Sequence, residues 1–216
     1  QSLFLHRIAA HGYYKLSRFE EKLGYVFTFL TQGMTYLSPT VYYRMHRVHH
    51  SHADQELDPH SPNNASNFID SLIKVSFTYR EIRFNRHKDI PAYPTIVHEW
   101  DTFDNFAQNL FVRMMWIPVY FGIYYLLDIP WYGYFFIIFH ALMGPIHGTL
   151  VNWCGHVYGY RNYDTDDHSR NVIPIDLVLL GELYQNNHHA EPLNPSFARK
   201  PWEVDLGGKI LSSYMK

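Results

Sequence analysis

His46-Arg47-Val48-His49-His50 is the stretch on which the fold turns. On a helix its three imidazoles stand at i, i+3 and i+4 and share one face. Rings so crowded would repel one another if protonated, whereas a bound cation removes that repulsion and takes neutral imidazole as its ligand. Partners for such a helix lie in three further clusters. His6 and His11 are five residues apart, about 140° around a regular helix, so both reach one site only if the helix ends or kinks between them. Asn152 and His156, at i and i+4, stand one above the other. Gln185-Asn186-Asn187-His188-His189 repeats the i, i+3, i+4 pattern with an amide in the first place.

The donor set narrows the metal. Fifteen histidines stand in 216 residues, and the single cysteine, Cys154, excludes an intrachain disulfide and any cysteine-based zinc or iron-sulfur site. Zinc closes its shell with four ligands, fewer than the eight clustered imidazoles, and the zinc-peptidase pattern His-Glu-x-x-His is absent. A number near eight suits two metals, and iron is favoured for oxygen chemistry.

Eighteen Lys and Arg against twenty Asp and Glu leave a net charge of -2 with no basic tract, so no nucleic-acid partner is expected. Aromatic residues make up 18% of the chain, which suits a protein at a membrane-water boundary. A mean hydropathy of -0.26 argues the other way, but it averages apolar stretches at 110–127 and 129–146 with polar ones at 15–22 and 54–67. Two spans are predicted, about 106–127 and 129–153, each near the ~20 residues that cross a bilayer core. Asp128 and Pro130 mark the turn between them, and Arg113 lies close enough to the cytosolic end to snorkel. Residues 24–44 are apolar but interrupted by Gln32, Ser38 and Pro39. If His11 and His46 serve one site, the 34 residues between them cannot hold two crossings, so this segment is read as interfacial or buried. A loop over 51–67, a helix from Asn67 or Phe68 to about Arg83, chain breaks at Pro91 and Pro94, and a short helical piece at 175–184 complete the expectation.

Taken in order, His6-Arg7 with His11, His46-Arg47-Val48-His49-His50 followed by Asp58-Pro59-His60, Asn152-Trp153-Cys154-Gly155-His156, and Gly181-Glu182 with Asn187-His188-His189 resemble the membrane fatty-acid desaturases of the acyl-CoA desaturase group, bacterial members in particular. Tyr163-Asp164 and Ser169-Arg170-Asn171 match its connecting segment, and the likeness runs over nearly the whole chain. It implies an all-α fold, one domain over 1–216, with membrane helices and a cytosolic helical cap holding a histidine-rich dimetal site. It also implies that His6, His11, His46, His49, His50, His156, His188 and His189 ligate two iron ions and that Asn152 holds a metal-bound water. The family has four membrane helices, so a chain opening at Gln1 without Met is expected to lack nearly all of the first two. Where many relatives have a further histidine, this chain has Gln185, which would ligate through its oxygen, act through water, or leave a position open. His147 offers a substitute, but on an ideal helix it faces about 180° from His156, and a packed or hydrogen-bonded role is expected instead. Asp54, Asp58 and Glu182 are candidates to orient ligand rings by accepting their other N–H. His52, His60, His87, His98, His140 and His168 are assigned to the surface or to the surroundings of the site.

The expected activity follows from the likeness and from chemistry. An unactivated methylene has no acidic proton and no leaving group, so a metal and O2 must do what side chains cannot. The reading is an integral membrane acyl desaturase with its site on the cytosolic side, acting on an acyl-CoA or lipid-linked chain. Its electrons would come from a separate donor such as ferredoxin or cytochrome b5 with its reductase. Trp116, Trp131 and Tyr134 are candidates to line the acyl tunnel. Two alternatives stay open: a diiron hydroxylase of an alkane or lipid, and a non-catalytic metal-binding membrane protein.

Overall fold

A computed structural model describes residues 1–90 and 94–214; the chain break expected at Pro91 lies outside the described residues. Helices dominate, and β-pairing among the described residues is limited to isolated bridges such as Tyr160 with Asn171. The first segment, Ser2–Ala10, is a π-helix. Its backbone bonds run from residue i+5 to i, as in His6 N to Gln1 O and His11 N to His6 O, both 3.1 Å. This wide turn is the kink that the His6–His11 spacing demanded: it puts residues five apart on one side.

Helix α1 (Arg18–Gln32) starts at a capping box, in which Ser17 accepts from the Glu20 amide and Glu20 returns the bond. It ends at Gly33, whose φ of 55° is the left-handed conformation glycine adopts without strain. Helix α2 (Pro39–Ser51) is begun by Ser38, whose side chain accepts from Val41 N, and by a proline at its first position. One face carries His46, His49 and His50. Val41, Met45 and Val48 form a core cluster with Ile82 and Ile90. The π-helix packs along α2, which brings the first two histidine clusters together. Helix α3 (Phe68–Arg83) lies where it was predicted, with Asn67 accepting from Asp70 N.

Both α1 and α3 expose an apolar stripe at helical spacing: Phe19, Leu23, Phe27 and Leu30 on one, Ile69, Ile73 and Phe77 on the other. Residues 24–44 are two helices joined by a 3₁₀ turn, Gly33–Thr35, and contain no long apolar span.

The apolar hairpin departs from the predicted limits. Phe106 belongs to a separate helix α4 (Asp101–Ala107), and α5 (Leu110–Met114) starts afresh because the Asn109 side chain accepts from Phe111 N at 2.9 Å. Helix α6 (Trp116–Leu126) follows, giving a shorter apolar helix over Leu110–Leu126. Asp128 turns the chain at φ 50°. A 3₁₀ stretch, Trp131–Phe136, runs into α7 (Ile137–Val157), and Trp131–Val157, 27 residues with an 18-residue window of mean hydropathy 1.5, is the one described helix long and apolar enough to cross a membrane.

The short helix expected at 175–184 does not form; the stretch is a chain of turns. Asp176 accepts from the amides of Leu179, Gly181 and Leu183, and Leu180 and Gly181 take φ of 60° and 91°, which a right-handed helix excludes. Helices α8 (Gln185–Ala190) and α9 (Leu206–Tyr214) close the chain.

Candidate metal centre

The eight predicted imidazoles fall into two sets, within each of which the ligand atoms lie within 4.8 Å of one another: His6, His11, His46, His50 and His188 in one, His49, His156 and His189 in the other. The local folds explain the division. On α2, His46 and His50 project one turn apart to the first set while His49 turns to the second. On α8, adjacent His188 and His189 divide in the same way, and His156 comes from the last turn of α7.

The Nε2 atoms meet head to head. His11 and His46 are 2.7 Å apart, His50 lies 3.0 Å from His46 and 2.9 Å from His188, His6 lies 3.1 Å from His188, and His49 lies 3.1 Å from His189. Their outer nitrogens fix the tautomer. His49 Nδ1 donates to both oxygens of Asp58 at 2.9 Å, His156 Nδ1 to Asp54 at 2.8 Å, His189 Nδ1 to Asp167 at 2.6 Å, and His6 Nδ1 to Glu182. With its proton on Nδ1, a neutral ring presents a lone pair at Nε2, so His49 and His189 aim two lone pairs at one point. The His156 Nε2, buried and without a hydrogen-bond partner, is a third. Converging lone pairs in a buried site repel unless a cation sits among them, and nitrogen-only donor sets suit iron and similar metals. The residues therefore fit the two ions that the spacing implies.

Electrostatics agree. Burial holds His46, His50 and His188 well below the usual histidine range and His11 down to about 2, and neighbouring rings add to the effect, so these rings stay neutral and able to ligate. Burial alone would raise the carboxyls, but His49 pulls Asp58, and His189 pulls Asp167, well below the carboxylate range. Glu182, likewise opposed by burial, is brought down to about 2 by His6 and Arg7.

Asp54, Asp58 and Glu182 were singled out in the sequence; Asp167 was not. It lies 22 residues before His189, beyond any helical spacing, and Thr165 and Ser169 donate to it from a turn. The turn residues around it, Thr165-Asp166-Asp167, were the available signal.

Asn152 Nδ2 donates to Gly148 O of its own helix and Gln185 Nε2 to Glu182 O, each at 2.8 Å, so each amide oxygen faces the other way. Gln185 occupies the space over Gly155, where an added Cβ would come within 2.3 Å of the Gln185 Cγ. His147 stands outside both sets, bonded through Nδ1 to Gln1 Oε1 at 2.9 Å. His60 is set edge-on to the His49 ring at 5.5 Å.

A cavity of about 770 Å³ adjoins the centre. Its wall includes His60 and Tyr42, the latter stacked on His46 with centroids 5.8 Å apart, together with Met45, Val75, Tyr79 and Gly144. Arg80, Arg83 and Arg113 also line it. The predicted tunnel aromatics lie elsewhere: Trp116 packs against Phe29, Tyr134 against Phe121 and Tyr124, and Trp131 is 85% exposed.

The family model described as fatty acid desaturase matches residues 1–203. The sn-1 stearoyl-lipid 9-desaturase of Anabaena variabilis is 30% identical over 95% of this chain and 71% of its own length. The enzyme of the same name from Synechocystis is also 30% identical, over 95% of this chain and 61% of its own length. The Delta-9 acyl-lipid desaturase 2 of Arabidopsis thaliana is 28% identical over 95% and 64%. The chain thus spans about two thirds of the length of these relatives. With two converging imidazole sets and a matching family model over nearly its whole length, the chain belongs to the fatty acid desaturase family.

Proposed function

We propose that this chain carries the catalytic centre of a membrane acyl desaturase that uses two iron ions and O2 to insert a double bond into a fatty acyl chain. The observation that carries the reading is the division of eight imidazoles into two lone-pair clusters next to a largely apolar cavity. His6, His11, His46, His50 and His188 would hold one ion, and His49, His156 and His189 the other. Bound iron supplies the redox chemistry with O2 that removes two hydrogens from adjacent, unactivated carbons, a task no side chain performs.

The chain's own residues do the rest. Asp54, Asp58, Asp167 and Glu182 fix the ring planes and, by holding the proton of each neutral ring on Nδ1, turn the Nε2 lone pair toward the metal. Asn152 and Gln185 offer amide oxygens to water beside the second set. Tyr42, Met45 and His60 form the wall between cavity and centre, so an acyl chain in the cavity would be held against the metals with water excluded. The arginines Arg80, Arg83 and Arg113 suit the polar end of such a substrate. Relatives named for acyl-lipid substrates favour a lipid-linked chain.

The exposed apolar faces of α1, α3, α6 and α7 support burial in a bilayer, with Trp131–Val157 crossing it and α1 and α3 lying at its surface. A cytosolic centre and a separate electron donor, a ferredoxin or a cytochrome b5 with its reductase, complete the proposal.

Fatty-acid profiling of a host expressing the full-length gene tests it. A new monounsaturated acid is expected, and it should disappear with His188→Ala. An alcohol without an alkene would replace desaturation by hydroxylation. Fewer than about one iron per folded chain would remove the diiron assignment.

A further inference from the structure

The two imidazole sets differ in a way that their ligand count hides. In the three-ring set every imidazole has its outer N–H on a carboxylate: His49 on Asp58, His156 on Asp54, His189 on Asp167. In the five-ring set only His6 does, through Glu182. The remaining four rings have no carboxylate partner among the described residues, and His188 Nδ1 is buried with no hydrogen-bond partner at all. Glu182 is further offset by Arg7, whose Nε lies 3.7 Å from it.

The three aspartates are each locked in place as anions. Asp58 also accepts from the amides of Asp54 and His60, Asp54 from the His168 amide and the Ser61 hydroxyl, and Asp167 from Thr165 Oγ1 and from the amide and hydroxyl of Ser169. Donors aimed at a carboxylate favour its charged form and hold it still.

A carboxylate on the outer nitrogen makes the imidazole a stronger donor, and its full charge attracts an ion in proportion to the ion's own charge. Neutral rings offer only a dipole. Three carboxylates against one therefore discriminate between the ferrous and ferric states more steeply than two extra neutral ligands do. We infer that the two iron positions are electrostatically unequal, and that Asp54, Asp58 and Asp167 make the ion at His49, His156 and His189 the more readily oxidised of the pair. This rests on the diiron reading above and adds to it an assignment of which ion gives up its electron first.

The test uses iron-loaded, full-length protein in detergent, with iron content measured before any other quantity. Mössbauer spectra during stepwise oxidation should show two distinguishable ferrous signals, one lost before the other. Asp167→Asn and Asp58→Asn should each move the earlier-oxidised iron to a higher potential, shifting its oxidation equilibrium by about tenfold or more, and leave the other nearly in place. Glu182→Gln should move only the later one. Where one aspartate variant does not retain two irons, Asp54→Asn carries the same comparison. Two irons that oxidise together in the wild type, or aspartate variants that move both irons alike, would overturn the inference while leaving the diiron reading intact. Failure of the wild-type chain to bind two irons would instead overturn that reading.

Discussion

Arg7 follows the first ligand histidine and is fully buried, and it makes the most demanding test of how the fold holds the centre. Its guanidinium donates to both oxygens of Asp205, at 2.9 and 3.1 Å, and to the carbonyls of Leu180 and Pro195, and it lies 3.8 Å over the Phe197 ring. Arg7→Ala takes the cationic partner from buried Asp205, which keeps the amides of Phe197 and Gly208 as donors, and removes the guanidinium from those carbonyls. Breaking a buried pair by removing one partner costs about 3–5 kcal/mol. For a chain of this size that is a fall in Tm of about 10 °C. Thermal unfolding of the purified, iron-loaded protein in detergent reads it directly. A double-mutant cycle sharpens the test: Arg7→Met with Asp205→Leu should be less destabilising than the two single changes together by at least about 1 kcal/mol, because the pair is removed rather than broken. A single-variant shift below about 2 °C, or an additive cycle, would refute the view that this pair ties the π-helix to the C-terminal segment.

Three further outcomes follow from the same geometry. In metal-free protein the rings of His11, His46, His50 and His188 resist protonation in the folded state while the unfolded chain takes protons below about pH 6.5. Stability should therefore be full above that value and fall on acidification, by up to about 1.4 kcal/mol per pH unit per ring. His49 opposes this: burial disfavours its charge but Asp58 raises its pKa, so its share is present at low pH and lost as pH rises; denaturant midpoints between pH 7 and 5 should still decline. The Glu182 share, with its pKa depressed to about 2, disappears only as pH drops from about 4.5 toward that value. Gly155→Ala places a Cβ 2.3 Å from the Gln185 Cγ and should cost about 1–3 kcal/mol in unfolding and lower iron retention, with no effect expected from Gly122→Ala, where nothing lies within 4 Å. Val75→Trp, at the cavity wall, should shift the product profile toward shorter acyl chains with iron content unchanged; an unaltered chain-length profile would separate the cavity from substrate binding.

Much of the centre was legible because helical spacing writes itself into sequence. The i, i+3, i+4 pattern of His46, His49 and His50 put three rings on one face before any coordinates were considered, and the His6–His11 spacing, inconsistent with a regular helix, demanded the distortion that the π-helix supplies. The start of the helix at Asn67 or Phe68 was also legible, whereas Ser38, read as an interruption, is the cap of α2. Less legible was anything settled by contacts between distant segments. Neither the allocation of neighbouring His188 and His189 to different sets nor the role of Asp167 follows from local spacing. The predicted helix at 175–184 failed because its apolar residues were read without the competing side chain of Asp176, which captures three backbone amides. Nor did hydropathy over 106–127 reveal that Asn109 caps a fresh helix at Leu110.

Residues as far apart as His6 and His188 contribute to the five-ring set, and its hydrogen-bonded supports reach to Asp205. During synthesis the stretch from His6 to His188 must therefore emerge before the five-ring set can close. Early segments can assemble only as a half-finished cradle, with His11 and His46 facing each other and no closing helix. Closure of the five-ring set thus waits on the arrival of the helix that bears His188, long after the segments it joins have been made.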